Sequence, residues 1–176
     1  MSLAKLAGEG IAAEGSVKPG QNDKLYSQAS YGAHFAEVAV NAVTGEVRVR
    51  RMLGIFAAGR ILNRKTARSQ CLGGMVFGIG AALTEELVHD PRTGKPVNHD
   101  LAEYHIPVNA DVPRLEVIFV DERDRFANPL QSKGLGELAI SGAGAAINNA
   151  IYNACGVRVL DYPVTLDKLL DGLPAC

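Results

Sequence analysis

Between Asn63 and Leu87 the chain carries a pattern that few folds can satisfy. Leu72, Met75, Val76, Ile79, Leu83 and Leu87 recur at helical spacing. Gly73, Gly74, Gly78 and Gly80 interrupt the same stretch, four glycines in eight positions. Each glycine costs about 1 kcal/mol relative to alanine in a helix interior. Such a helix persists only if glycine's small size is used, for close approach of another backbone or of a ligand. Asn63 stands where an N-cap is needed. A long, glycine-rich helix held by intimate tertiary contact is therefore the first expectation.

The composition supports a folded domain around it. Hydrophobic residues make up 47% and charged residues 21% of the 176, which excludes disorder, collagen and coiled coil as defaults. A chain of this length can bury a core without disulfide staples. Eighteen Lys and Arg against nineteen Asp and Glu give a net charge of −1. A nucleic-acid binder or an electrostatic membrane binder would show a basic excess, so neither partner is expected. No apolar run reaches the length of a membrane span or resembles a signal peptide, and no compartment is assigned. Cys71, Cys155 and Cys176 form no CxxC pair, and His34, His89, His99 and His105 are scattered. Free thiols, and no zinc site, are expected.

Residues 1–31 predict an irregular or strand-like lead-in, and 32–176 one domain. Ala36, Val38 and Val40, a turn at AVTG, then Val47 and Val49 predict a β-hairpin with one apolar face. MLGIFAAG predicts a separate short buried strand ending at Gly59. The helix follows. HDPRTGKPVNHD predicts a turn joining two strands, LEVIFVD a strand, and ERDRFANPLQSKG a polar loop. SGAGAAINNAIYNACG predicts a second Gly- and Ala-rich helix closed by Gly156. Strands and helices do not alternate as in a doubly wound fold, so the fold class is α+β.

Two segments could carry chemistry. GIGAAL at 78–83 and GAGAAI at 142–147 begin like dinucleotide fingerprints but lack the third glycine, and close helix packing explains them better. KGLGE at 133–137 is different, because two glycines in a loop precede a carboxylate. Backbone N–H groups there can approach a phosphate or cofactor and present Glu137 at the edge of a site. Leu135 and Leu138 predict partial desolvation of the acid, as a general base requires. A solvated Glu137 near a helix start is the plainer alternative. The second segment is FAAGRILNRKTARSQ, where Arg60, Arg64, Lys65 and Arg68 cluster beside Asn63, Thr66 and Gln70. Cations and helix N-terminal amides together suit a pyrophosphate; a solvated basic helix start is the alternative.

Taken in order, RILNRKTARSQ, GGMVFGIGAALTEE, AEYHIPVNADVP and NPLQSKGLGELAISGAGAAINNAI resemble the C-terminal part of the molybdenum-cofactor-binding large subunit of the xanthine dehydrogenase and aldehyde oxidase family. The wording is nearest the bacterial periplasmic-type aldehyde oxidoreductases, and the resemblance runs from about Gly32 to Leu170. It implies a cofactor-binding-domain fold, with antiparallel or mixed strands and two long Gly/Ala-rich helices. It implies that Glu137 is the general base in oxidation of aldehydes or N-heterocycles, with water as the oxygen source. Lys133, Gly134, Leu135 and Gly136 match the loop lying against the cofactor. Arg60, Ile61, Leu62, Asn63, Arg64, Lys65 and Thr66, with Gln70, match the segment holding a molybdopterin cytosine dinucleotide tail. Iron–sulfur clusters and FAD are implied on partner subunits and not in this chain. Phe77 stands where xanthine-type members commonly have Gln, which points toward aldehydes.

The resemblance also implies that further cofactor loops lie upstream in the same subunit. The isolated chain is then expected to be inactive and to expose an apolar interface that could self-associate. A non-catalytic cofactor-binding or assembly module is the alternative. A nucleotide-binding regulator using GIGAAL is disfavoured.

Overall fold

The computed structural model describes residues 2–173 except residues 9, 11, 17, 19 and 113; Cys176 lies outside the described residues. Three strands, β1 (Tyr31–Val40), β2 (Val47–Ala57) and β3 (Arg114–Phe119), form one mixed sheet in that order. β1 and β2 pair antiparallel, and β2 and β3 pair parallel. Four helices accompany them: α1 (Leu3–Ala7), α2 (Arg64–Leu83), α3 (Ala143–Cys155) and α4 (Asp167–Leu170). α3 lies over β1, α2 lies over β2 and β3, and the two long helices touch each other. The α+β class and the pair of Gly/Ala-rich helices match expectation.

β2 is a single strand of 11 residues, not a hairpin arm followed by a separate strand. The register slips between Glu37 and Val38, so that Glu37 faces Arg51 while Val38 faces Val49. Arg50 is thereby the extra residue of a bulge. Val47 and Val49 on one side of it, and Met52 and Phe56 on the other, all reach the same core despite their change of parity. Other departures have local causes. The lead-in contains α1 and a 3-10 turn at Gln21–Lys24, neither of which buries a residue. α2 stops at Leu83, where the N–H groups of Thr84 and Glu85 both turn back to the Gly80 carbonyl. Leu87 lies outside the helix and is exposed. The expected strand pair around HDPRTGKPVNHD is reduced to one bridge, His89 to Pro96, because prolines 91 and 96 bring no N–H to a ladder.

Phe56, Met52, Met75, Ile79, Ile147, Ile151 and Leu169 form the core between sheet and helices. Each stabilises the fold by about 1.5–3 kcal/mol relative to exposure. Cys71 is buried among them, and burial pushes its thiol up to about 11; Cys71 and Cys155 are free thiols. On the other face of the sheet Tyr31, Phe35 and Ile118 are exposed. No helix among the described residues is long and apolar enough to cross a membrane.

The glycines explain how α2 and α3 meet. A Cβ at Gly78 would overlap the Ala143 side chain, and one at Gly74 would press on Ala139 and Ile140. Gly142 gives the same room to His34, and Gly144 to Tyr162. Gly73 is the exception, with nothing within 4 Å of its Cβ position.

Candidate functional site

β2 ends at Ala57, and the chain then passes Gly59 in a left-handed conformation, φ 64°. A Cβ at Gly59 would overlap the Gln131 carbonyl, so glycine permits close approach of the segment leading into KGLGE. Arg60 N–H donates to that carbonyl at 2.7 Å, and Lys133 N–H donates to the Ala58 carbonyl at 2.9 Å. The basic segment and the glycine loop are therefore stitched together at the first predicted site residue of each, Arg60 and Lys133.

Beyond the stitch, Asn63 caps α2 as expected. Its side-chain oxygen accepts from the N–H groups of Lys65 at 3.0 Å and Thr66 at 3.3 Å. Those two amides are consequently engaged, so an anion at this helix start would meet side chains more than free N–H groups. Arg60, Arg64, Lys65 and Arg68 are all exposed, and none forms an ion pair among the described residues. One turn further on, Gln70 donates to the Gly136 carbonyl at 2.7 Å.

These contacts frame an open pocket of about 360 Å³. Arg60, Ile61, Leu62, Asn63, Thr66 and Gln70 line it from the helix side, and Leu135 and Gly136 from the loop side. Arg64, Lys65, Lys133, Gly134 and Glu137 do not line it. Two larger hollows, of about 550 Å³ and 790 Å³, contain none of the predicted site residues.

Glu137 stands just past Gly136 in a turn, where its carbonyl accepts from Ile140 N–H at 3.2 Å, and it is exposed. Leu135 and Leu138 pack against the core instead of shielding the acid, so the desolvation expected from them is not supplied. Gly134 and Gly136 have no atom within 4 Å of their Cβ positions, and their outer faces are open.

Lys133 turns inward. Its side chain is 7% exposed, with the ammonium 2.8 Å from Glu122 and 3.8 Å from Asp124. The Lys133 hydrogen bond and the Gly59 N–H, at 3.0 Å, hold the Glu122 carboxyl below the usual carboxylate range. Glu122 carries no signal in the sequence, since it lies in a polar loop without periodicity. Ser30 was equally hidden in the lead-in; its hydroxyl donates to the Gly134 carbonyl at 2.5 Å.

Comparison with known proteins places this arrangement. Residues 1–113 match the family model described as the molybdopterin cofactor-binding domain. The molybdenum-binding subunit of an Escherichia coli aldehyde oxidoreductase is 58% identical over 168 residues, 96% of this chain and 23% of that protein. An Escherichia coli xanthine dehydrogenase molybdenum-binding subunit is 35% identical over 161 residues, 92% of this chain and 21% of that one. Among solved structures, the aldehyde oxidoreductase from Desulfovibrio desulfuricans superposes with a TM-score of 0.74 at 32% identity, over 82% of this chain and 16% of that chain. The chain thus spans less than a quarter of the length of these relatives. Its mixed sheet, two glycine-packed helices and matched segment agree: the chain belongs to the molybdopterin cofactor-binding domain family, and is homologous to a small part of the molybdenum aldehyde oxidoreductases and xanthine dehydrogenases.

Proposed function

We propose that this chain holds the dinucleotide tail of the molybdopterin cofactor and carries the general base, Glu137, of a molybdenum hydroxylase. The pocket shared by Arg60, Asn63, Thr66 and Gln70 with Leu135 and Gly136 carries this reading, because it joins two segments distant in sequence around one opening. The residues fit such a group chemically. Four exposed cations without carboxylate partners among the described residues stand at the N-terminus of a 20-residue helix, where the dipole favours anions. The open faces of Gly134 and Gly136 allow close approach to the loop.

When bound, the cofactor supplies the two-electron oxidation and the activation of water. Arg60 and its neighbouring cations neutralise the pyrophosphate. Gln70 holds the Gly136 carbonyl, and with it the chain one residue before the base. Glu137 accepts a proton at its carboxylate as the oxygen adds to the substrate carbon. Its exposure here means that the shielding a base needs comes from the cofactor and from other parts of the subunit. In the finer reading the tail is cytosine dinucleotide and the substrate is a small aldehyde or N-heterocycle. Electrons leave through iron–sulfur and FAD subunits, and the isolated chain is inactive. These assignments rest on the motif resemblance, and the names of the relatives bear only on the aldehyde or xanthine substrate.

Glu137's position outside the pocket wall favours a second reading, a cofactor-binding module without the base. Both readings share the tail site. Charge reversal Arg60→Glu in the complete molybdenum subunit tests that site, and the variant is expected to purify with markedly less pterin dinucleotide than wild type. Unchanged cofactor content would contradict it.

A further inference from the structure

We propose that Glu122 and Lys133 act as positioning residues for Glu137, forming a charge clamp that sets where residues 133–137 leave the bridge between Gly59 and Ser132. The proposal rests on the reading of Glu137 as the base. Three chain segments converge on the clamp. Glu122 follows β3, Gly59 follows β2, and Lys133 opens the glycine loop. One carboxylate joins all three, since its Oε1 accepts from the Lys133 ammonium at 2.8 Å and its Oε2 accepts from the Gly59 N–H at 3.0 Å.

The surroundings make this pair more than a surface ion pair. The Lys133 side chain is 7% and that of Glu122 25% exposed, so the pair is shielded from most solvent screening. Removing one partner leaves the other charge uncompensated. The Tyr31 ring covers the ammonium at 5.4 Å, and Asp124 adds a second carboxylate at 3.8 Å. Gln131, two residues before Lys133, has φ 61°, the one left-handed non-glycine among the described residues. Its carbonyl takes the Arg60 N–H. That uncommon conformation persists because its neighbours over-determine it.

After the clamp only three residues separate Lys133 from Glu137. Two of them are held, Gly134 by Ser30 and Gly136 by Gln70. Lys133 therefore acts through the loop and does not reach toward a phosphate, because its ammonium donates to Glu122 and lies between Asp124 and the Tyr31 ring.

The test uses Glu122→Gln and Lys133→Met, both close in size to the native residues. Amide exchange in the 176-residue chain is read at Gly59, Arg60, Ser132 and Lys133, and kcat, KM and molybdenum content are read in the complete subunit. The clamp predicts exchange at these four amides faster by about tenfold or more, with α2 and α3 unchanged. It also predicts a lower kcat at unaltered KM and molybdenum content. Unchanged exchange in both variants overturns the clamp. A rise spread through α2 and α3 overturns it too, by making the pair a general stabiliser. A local rise with normal kcat, where Glu137→Gln is inactive, overturns the positioning role. Normal turnover in Glu137→Gln overturns the base reading instead, and a local exchange rise then still supports the clamp as the loop's anchor.

Discussion

The side-chain amide of Gln70, on the first turns of α2, donates to the carbonyl of Gly136 across 66 residues of sequence. This bond ties the cationic helix start to the residue before Glu137. It is exposed, so its loss costs the fold about 0.5–1.5 kcal/mol at most. Gln70→Glu replaces the donor with a carboxylate that faces a carbonyl oxygen. We expect a small fall in the urea midpoint of this chain but a clear loss of pterin dinucleotide from the complete subunit. Equal cofactor content in the variant and wild type would remove Gln70 from the site.

Two glycines in the same helix should respond in opposite directions. At Gly78 a Cβ would overlap Ala143, so Gly78→Ala should destabilise by about 1–3 kcal/mol through overpacking. At the exposed Gly73 nothing lies within 4 Å, and Gly73→Ala should stabilise by about 0.5–1 kcal/mol through helix propensity. Urea denaturation of both variants checks the sign. A stabilising Gly78→Ala would mean that the α2–α3 contact is not as close as described, and a destabilising Gly73→Ala that its site is not open.

Those glycines also show what a single sequence can disclose. Four glycines in a helix required a close neighbour, and that neighbour is α3 at Gly78 and the turn leading into α3, Ala139 and Ile140, at Gly74. Asn63, Gly156 and the strand LEVIFVD were legible because caps and apolar runs are local signals. The bulge at Arg50 was not, since a one-residue slip changes the apparent period without leaving a composition mark. Nor was the direction of Leu135 and Leu138, which depends on a turn and on the core they meet. Glu122 was hidden for the same reason. Its partners Gly59 and Lys133 come from different segments, and only the folded chain brings them together.

His34 makes stability depend on pH. Desolvation lowers its pKa below the ordinary 6.5, and the hydrogen bond with the Ala139 carbonyl at 2.9 Å only partly offsets this. The fold favours the neutral ring, so the folded chain binds fewer protons than the unfolded one. That contribution is fully present above the ordinary value and is lost as pH falls through the lower, folded value. The urea midpoint should therefore drop between about pH 7 and pH 5, and His34→Gln, which keeps a donor for Ala139, should flatten the slope. An identical slope in the variant would assign the pH dependence to other groups.

Glu137 is proposed as a base presented by a loop whose preceding residue, Gly136, is anchored to α2. The most direct measurement of that role is turnover of the complete molybdenum subunit carrying Glu137→Gln, with pterin dinucleotide and molybdenum content measured on the same preparation. We expect a loss of roughly 10²–10⁴-fold in kcat with cofactor content unchanged, because Glu137 lies outside the wall of the pocket proposed for the tail. Near-normal turnover at full cofactor content would contradict it and leave this chain as a cofactor-binding module alone.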